Sequence, residues 1–300
     1  MSLSQIQQRN PALLLRAQLP RSYIGQAAHR HLESLRKKLT SRAALLGRPA
    51  GSGWGAGATT LRIATIALVH STAGYCAPVW CRSAHTRLIN PAINDALRIV
   101  TGCLRPTLAD NLPILSGIQP AELRRNGGTL SLGRRAMEPG HLLHSALTRP
   151  LSANARRFKS RHPFVPATPY PQHLISSSDN NICAAQWADH QWNVQWADNP
   201  TMTPHFHSRH RHPTLGMTLP RTIWVGLNRL RTGVGRFRSC LYKWGMASSA
   251  ACECGAEQQI VDHVVLQCPI HRPSHGLTVA RPDGLDDKTI EWLLDTCPEI

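Results

Sequence analysis

The chain has 300 residues, enough for one or two domains with a sizeable core. Hydrophobic residues make up 42%, an ordinary globular share, but charged residues only 17%. The charge is lopsided: 34 Lys+Arg against 17 Asp+Glu leaves +17, and no 18-residue apolar run exists to cross a membrane. That balance points away from acidic or membrane-embedded classes and toward a polyanionic partner, RNA or DNA. The bases are mostly Arg, which stacks on bases and grips phosphate bidentately. Nine cysteines without a secretory framework or signal sequence imply reduced thiols in the nucleus or cytoplasm.

Residues 1–28 are Gln-rich and broken by Pro11 and Pro20, and are expected to be an unstructured lead. His29 to Leu46 predicts an amphipathic helix with Leu32, Leu35, Leu39, Ala43 and Leu46 on one stripe. Gly51 to Gly57 is a Gly-rich loop without the Lys-Ser/Thr of a phosphate loop. Thr59 or Thr60 is expected to cap a helix from Leu61 to Tyr75 that is apolar nearly all round and so buried. Cys76 and Cys81 bracket a turn and read as buried structural thiols. Pro91 to Val100 predicts a helix stopped by Gly102. Leu112 to Gly117 reads as a connector. Pro120 opens a further helix with Arg124, Arg125, Arg134 and Arg135 on its polar side and a break at Gly127-Gly128.

Residues 29–147 thus form a helical domain. Residues 148–219 read as a long irregular linker, rich in Pro, Ser and His, with a Trp-rich helix at 183–198. Trp187, Trp192 and Trp196 suit helix packing better than a stacking platform for bases. His205, His207, His210 and His212 alternate in a loop, where solvated side chains are the simplest reading.

The last 81 residues, 220–300, carry the chemistry. Pro220 opens a basic helix whose apolar face is Ile223, Leu227 and Leu230. Arg229, Arg231, Arg236, Arg238, Lys243 and Trp244 interleave cations with an aromatic, as a backbone-tracking, base-stacking surface needs. Next comes Cys252-Glu-Cys254-Gly, then His263 and Cys268. Three thiols and an imidazole supply the four donors of a tetrahedral Zn²⁺ site. A helix at Ile260 to Leu266 carries His263, and Pro269 ends it so that Cys268 can turn toward the metal. Cys240, His271 and His275 remain alternatives for any one ligand.

Several stretches together resemble the C-terminal part of reverse transcriptases from non-LTR (LINE-type, jockey-like) retrotransposons. They are L-x-R-L-R-T-G at Leu227 to Gly233, Trp244, and C-x-C-G with D-H-x-x-x-x-C-P at Cys252 to Pro269. Upstream segments are similar too: His31 to Arg42, Tyr75 to Trp80, Ile93 to Cys103 and Ile118 to Arg125. The resemblance implies a helical thumb-like region over 29–147 and a terminal zinc knuckle that grips RNA or DNA. The polymerase palm it would accompany needs carboxylates for two metal ions. The one Asp-Asp pair, Asp286-Asp287, reads as a helix cap before Ile290, and no Mg²⁺ site is identifiable. The expectation is a mainly α protein that binds nucleic acid and does not polymerise alone. The alternatives are an accessory part of a longer active product, with palm or endonuclease segments upstream, and a non-functional relic.

Overall fold

A computed structural model describes residues 21–51, 55–81, 83–136, 138–142, 144, 184–197, 216–274 and 287–296. The protein is mainly helical, and among the described residues the one β feature is an isolated bridge between Ala50 and Gly55. No described helix is long and apolar enough to cross a membrane. The lead before residue 21, most of the 148–219 linker with its His-rich loop, His275 and Asp286 lie outside the described residues.

Helix α1 runs Arg21–Gly47. It therefore starts inside the stretch expected to be an unstructured lead. Pro20 is compatible with a helix start, and Gln26, Ala27 and Ala28 are good helix formers. The stripe read from the sequence is the buried one: Leu32, Leu35, Leu39, Ala43 and Leu46 are all at most 5% exposed. It packs on α5, Asn90–Thr101, which buries Ile93, Ala96 and Leu97 against it.

Between them the chain makes α2 (Ala58–Thr65), a π-helical turn (Ile66–His70), α3 (Ser71–Gly74) and α4 (Ala77–Trp80). This segment corrects three expectations. Extended Gly57 is the N-cap and no threonine hydroxyl caps the helix; Thr59 Oγ1 instead donates to the Met217 carbonyl at 3.5 Å. The segment is not buried all round: Leu61, Thr65 and Val69 face inward at helical spacing, while Ile63 and Leu68 stay exposed. Cys76 is exposed in the left-handed region (φ 54°), so it is not a core thiol.

Helix α6, Asn111–Ser116, replaces the expected connector. Its Leu112 and Leu115 are as deeply buried as α1's leucines, and that burial stabilises a short helix. Helix α7, Ala121–Ala136, passes unbroken through Gly127-Gly128. Packing of α8, Ala184–Ala197, along it offsets the roughly 1 kcal/mol that a helical glycine costs. Trp192 of α8 is buried with Leu123 and Ala188, so it packs a helix rather than stacking bases. Arg125 is not on a solvated face either: it is 6% exposed, with its guanidinium 5.6 Å above the Trp80 ring.

Helix α9, Arg221–Thr232, docks on the C-terminal end of α5. The last carbonyls of a helix have no partner within it. Here Arg221 Nη2 and Nη1 donate to the carbonyls of Ile99 (2.6 Å) and Val100 (2.7 Å). Trp224 Nε1 also donates to Val100 (3.0 Å), and Asn228 Nδ2 donates to Thr101 (2.9 Å). A cation at that end also complements the helix dipole. Burial brings Arg221 down to about 10 despite the opposing pull of Cys103, so it stays protonated at neutral pH. Gly102 closes α5 at φ 73°, and a Cβ there would lie 2.3 Å from Val225 Cγ2 of α9. Gly102→Ala therefore combines left-handed strain with overpacking, and is expected to destabilise the chain by about 2–5 kcal/mol in urea titration. A loss within 0.5 kcal/mol, roughly that of a neutral surface change, would show that α9 does not sit here.

The chain ends in α10 (Arg238–Lys243), the cysteine-rich segment and α11 (Asp287–Thr296). Ile223, Leu230, Phe237, Val264, Val265 and Leu293 form a second, smaller core there.

Candidate metal centre

Local geometry assembles the four side chains singled out in the sequence. After Cys252 the backbone folds back tightly: Gly255 N–H donates to the Cys252 carbonyl (3.0 Å) and Cys252 N–H to that of Ala256 (2.9 Å). Gly255 takes φ 94°, where a side chain would be strained, and this puts Cys252 and Cys254 on one side of the turn. The second half of the site poses a harder problem. In an α-helix, residues five apart point about 140° away from each other. The chain solves it with a π-helical turn, His263–Gln267, closed by a bond from Cys268 N–H to the His263 carbonyl at 2.7 Å. Cys268 itself is extended (φ −67°, ψ 121°), so its thiol returns to the histidine. The expected helix bearing His263 is thus α-helical only at its start, and the π turn matters as much as Pro269.

The four ligand atoms lie within 4.8 Å of one another. Cys252 Sγ and Cys268 Sγ are 3.7 Å apart, and Cys254 Sγ is 3.1 Å from His263 Nε2. A tetrahedron with Zn–S bonds of about 2.3 Å has S···S edges of about 3.8 Å. Cys252, His263 and Cys268 are buried and Cys254 is half-buried, so the cluster opens to solvent on one side. The group can hold a metal ion. Cys240 stands apart, its thiol against the Gly233 carbonyl at 3.6 Å, and His271 faces Glu253 at 3.9 Å, so neither displaces one of the four.

The thiols differ in acidity. Burial works against ionising Cys252, yet the Cys254 amide and the donors of Cys254, His263 and Cys268 bring it down to about 7. At Cys254 the Ala256 amide favours the thiolate, but burial and the neighbouring thiols prevail and push it up. One member of the cluster is therefore primed to be a thiolate near neutral pH, the form that binds metal.

Two supporting residues are invisible to motif reading. Gln259 Nε2 donates to Cys252 Sγ at 3.8 Å, while its Oε1 accepts the Arg238 amide at 2.8 Å. It ties the first ligand to the start of α10. Glu253, between two of the cysteines, accepts Arg238 Nη2 at 2.7 Å. Their shared partner Arg238 is 21 and 15 residues away in sequence, so spacing carries no signal of them.

The six residues expected to contact nucleic acid separate into two sets. Arg229 and Arg231 belong to α9, which is buried on most of its surface, and both are half-buried. Arg231 lies 5.9 Å over the Trp224 ring and donates to Asn228 Oδ1 at 3.2 Å; burial lowers it to about 10. Helix α9 therefore buries polar as well as apolar side chains. Its polar residues Arg221 and Asn228 are buried because α5 offers them carbonyls. Arg236, Arg238 and Lys243 are exposed and Trp244 is half-buried; Arg238 alone of them is linked to the metal cluster, through Gln259 and Glu253.

Comparisons with family models, with curated proteins and with solved structures found no match to this chain.

Proposed function

We propose that the C-terminal segment is a zinc-stabilised nucleic-acid grip, and that the chain corresponds to the thumb-to-knuckle part of a non-LTR retroelement reverse transcriptase without its catalytic palm. The observation that carries the reading is the cluster of Cys252, Cys254, His263 and Cys268 with its 3.7 Å sulfur–sulfur edge, linked through Gln259 to the exposed Arg238. Three thiolates and an imidazole within 4.8 Å of one another favour Zn²⁺ over hard cations, which take oxygen ligands. Arg238 would exchange Glu253 for a phosphate, Arg236 and Lys243 would track the backbone, and Trp244 or the exposed Tyr242 would stack on a base.

The test is a titration of zinc-loaded full chain with single-stranded RNA at several salt concentrations. Binding should weaken with salt, because each neutralised phosphate releases counterions. Replacing Arg236, Arg238 and Lys243 together by Gln should reduce the log–log salt slope by about 2, from three contacts at about 0.7 each. An unchanged slope would remove this surface from the reading. Incorporation of nucleotides by the chain alone, with Mg²⁺ and dNTPs, would refute the absence of a palm.

A further inference from the structure

A second cationic site, with no residue of the metal cluster in its walls, is a cleft of about 320 Å³ between the turn at His70 and helix α7. Its walls include His70, Gln119, Arg124 and Arg125. Two side-chain nitrogens here, His70 Nε2 and Arg125 Nη1, are buried without a hydrogen-bond partner. Both residues are at least nine-tenths buried, at 5% and 6% exposure. An orphaned donor on a buried cation is costly, and a site that keeps one is commonly completed by a ligand. Burial, with Arg124 and Arg125 adding to it, holds His70 near 3, so the imidazole is neutral and can offer an N–H. Burial and then the nearby Arg62 pull Arg124 below its ordinary range, against the attraction of Asp189. The counter-charges are Asp189, which accepts from Gln119 Nε2 at 2.5 Å, and the exposed Glu122 near Arg125. The guanidiniums of Arg124 and Arg125 line the cleft, while that of the nearby Arg62 donates to the Gly117 carbonyl at 2.9 Å. Gly74 and Gly128 also line the cleft, and a Cβ added at either would meet no atom within 4 Å. The backbone can thus be approached closely.

We propose that this cleft binds a phosphate group, with the guanidiniums of Arg124 and Arg125 on its oxygens and His70 donating a further hydrogen bond. Planar guanidiniums match phosphate bidentately, and two of them suit its double charge better than a carboxylate's single one. The group can belong to a small free phosphate or to the end of a nucleic-acid strand. The site shares no residue with the metal centre, so it stands or falls apart from the zinc reading.

Calorimetric titration of the full chain separates the cases. The probes are inorganic phosphate, a 5′-phosphorylated dinucleotide and the same dinucleotide without its phosphate. Arg124→Gln and Gly128→Asp should each weaken phosphate binding at least about tenfold. Gly128→Asp guards against misfolding, since it places a carboxylate in open space on an unstrained helical residue. Gly128→Ala, which adds bulk without charge, should bind like the wild type. Binding of inorganic phosphate with this pattern of loss supports a free phosphate ligand; binding of the phosphorylated dinucleotide alone supports a strand end. Equal binding of the unphosphorylated dinucleotide, no binding of any probe, or Gly128→Asp binding as tightly as the wild type would overturn the site.

Discussion

Cys268→Ser is expected to abolish binding of one zinc per chain and to unfold the segment around it, while the N-terminal helical core stays folded. The small size of the C-terminal core is the first reason. It has six buried apolar side chains, two of which, Ile223 and Leu230, belong to α9. So small a core rarely holds irregular backbone in place without a staple. The turn at Gly255 and the π turn at His263–Gln267 are held by few backbone bonds of their own. Zinc bound by such ligand sets supplies about 10–16 kcal/mol of apparent binding energy, which becomes folding energy when the free site is not preformed. Chelation should therefore remove amide-exchange protection from Val264, Val265 and Cys268. It should leave α9 protected, because Arg221, Trp224 and Asn228 anchor that helix to α5 independently. Affinity should also fall as pH drops, since the thiolates and imidazole must shed protons to bind. Metal analysis of the wild type, Cys252→Ser and Cys268→Ser decides the matter. No zinc in the wild type, or one zinc retained in both variants, would exclude the four-ligand site.

Trp224→Ala is expected to cost about 3–5 kcal/mol, the range for truncating a buried large aromatic. Trp224 is fully buried, with Ala58 of α2 on one side and Met217 ahead of α9. Its ring also carries the Arg231 guanidinium. The lost Nε1 hydrogen bond adds little by itself, because Arg221 still donates to the same Val100 carbonyl. Most of the cost comes from the cavity that the missing ring leaves. Trp224→Phe should accordingly recover most of the loss, leaving about 1–2 kcal/mol. Urea unfolding of the three proteins measures both values. A loss under about 1 kcal/mol for Trp224→Ala would mean that α9 is not docked on α5.

These two expectations differ in how far the sequence foreshadows them. The four candidate metal ligands stand in the sequence as residue types and spacings, and the same four side chains converge in three dimensions. The π turn is not legible there, because the difference between i+4 and i+5 bonding over five residues leaves no periodic signature. The docking of α9 is hidden for a related reason. Arg221 and Asn228 look like solvent-facing residues of an amphipathic helix. Hydropathy periodicity assigns polar side chains to water and cannot see that a neighbouring helix end offers carbonyls more than 120 residues away in sequence. Arg125 escapes periodicity in the same way: it is buried, with its guanidinium over the Trp80 ring.

The sequence by itself determined the helical class, the buried leucine stripe of α1, the stop of α5 at Gly102 and the identity of four convergent donors. Each of these rests on local chemistry: a 3.6-residue period, a glycine in left-handed conformation, thiols and an imidazole close together along the chain. Only the tertiary structure decided which arginines are buried and which are open to solvent. That choice depends on where unsatisfied carbonyls, aromatic faces and open clefts arise between distant segments. The fold alone thus divides Arg221 and Arg231 from Arg236 and Arg238, and sets Arg124 and Arg125 around a second cleft.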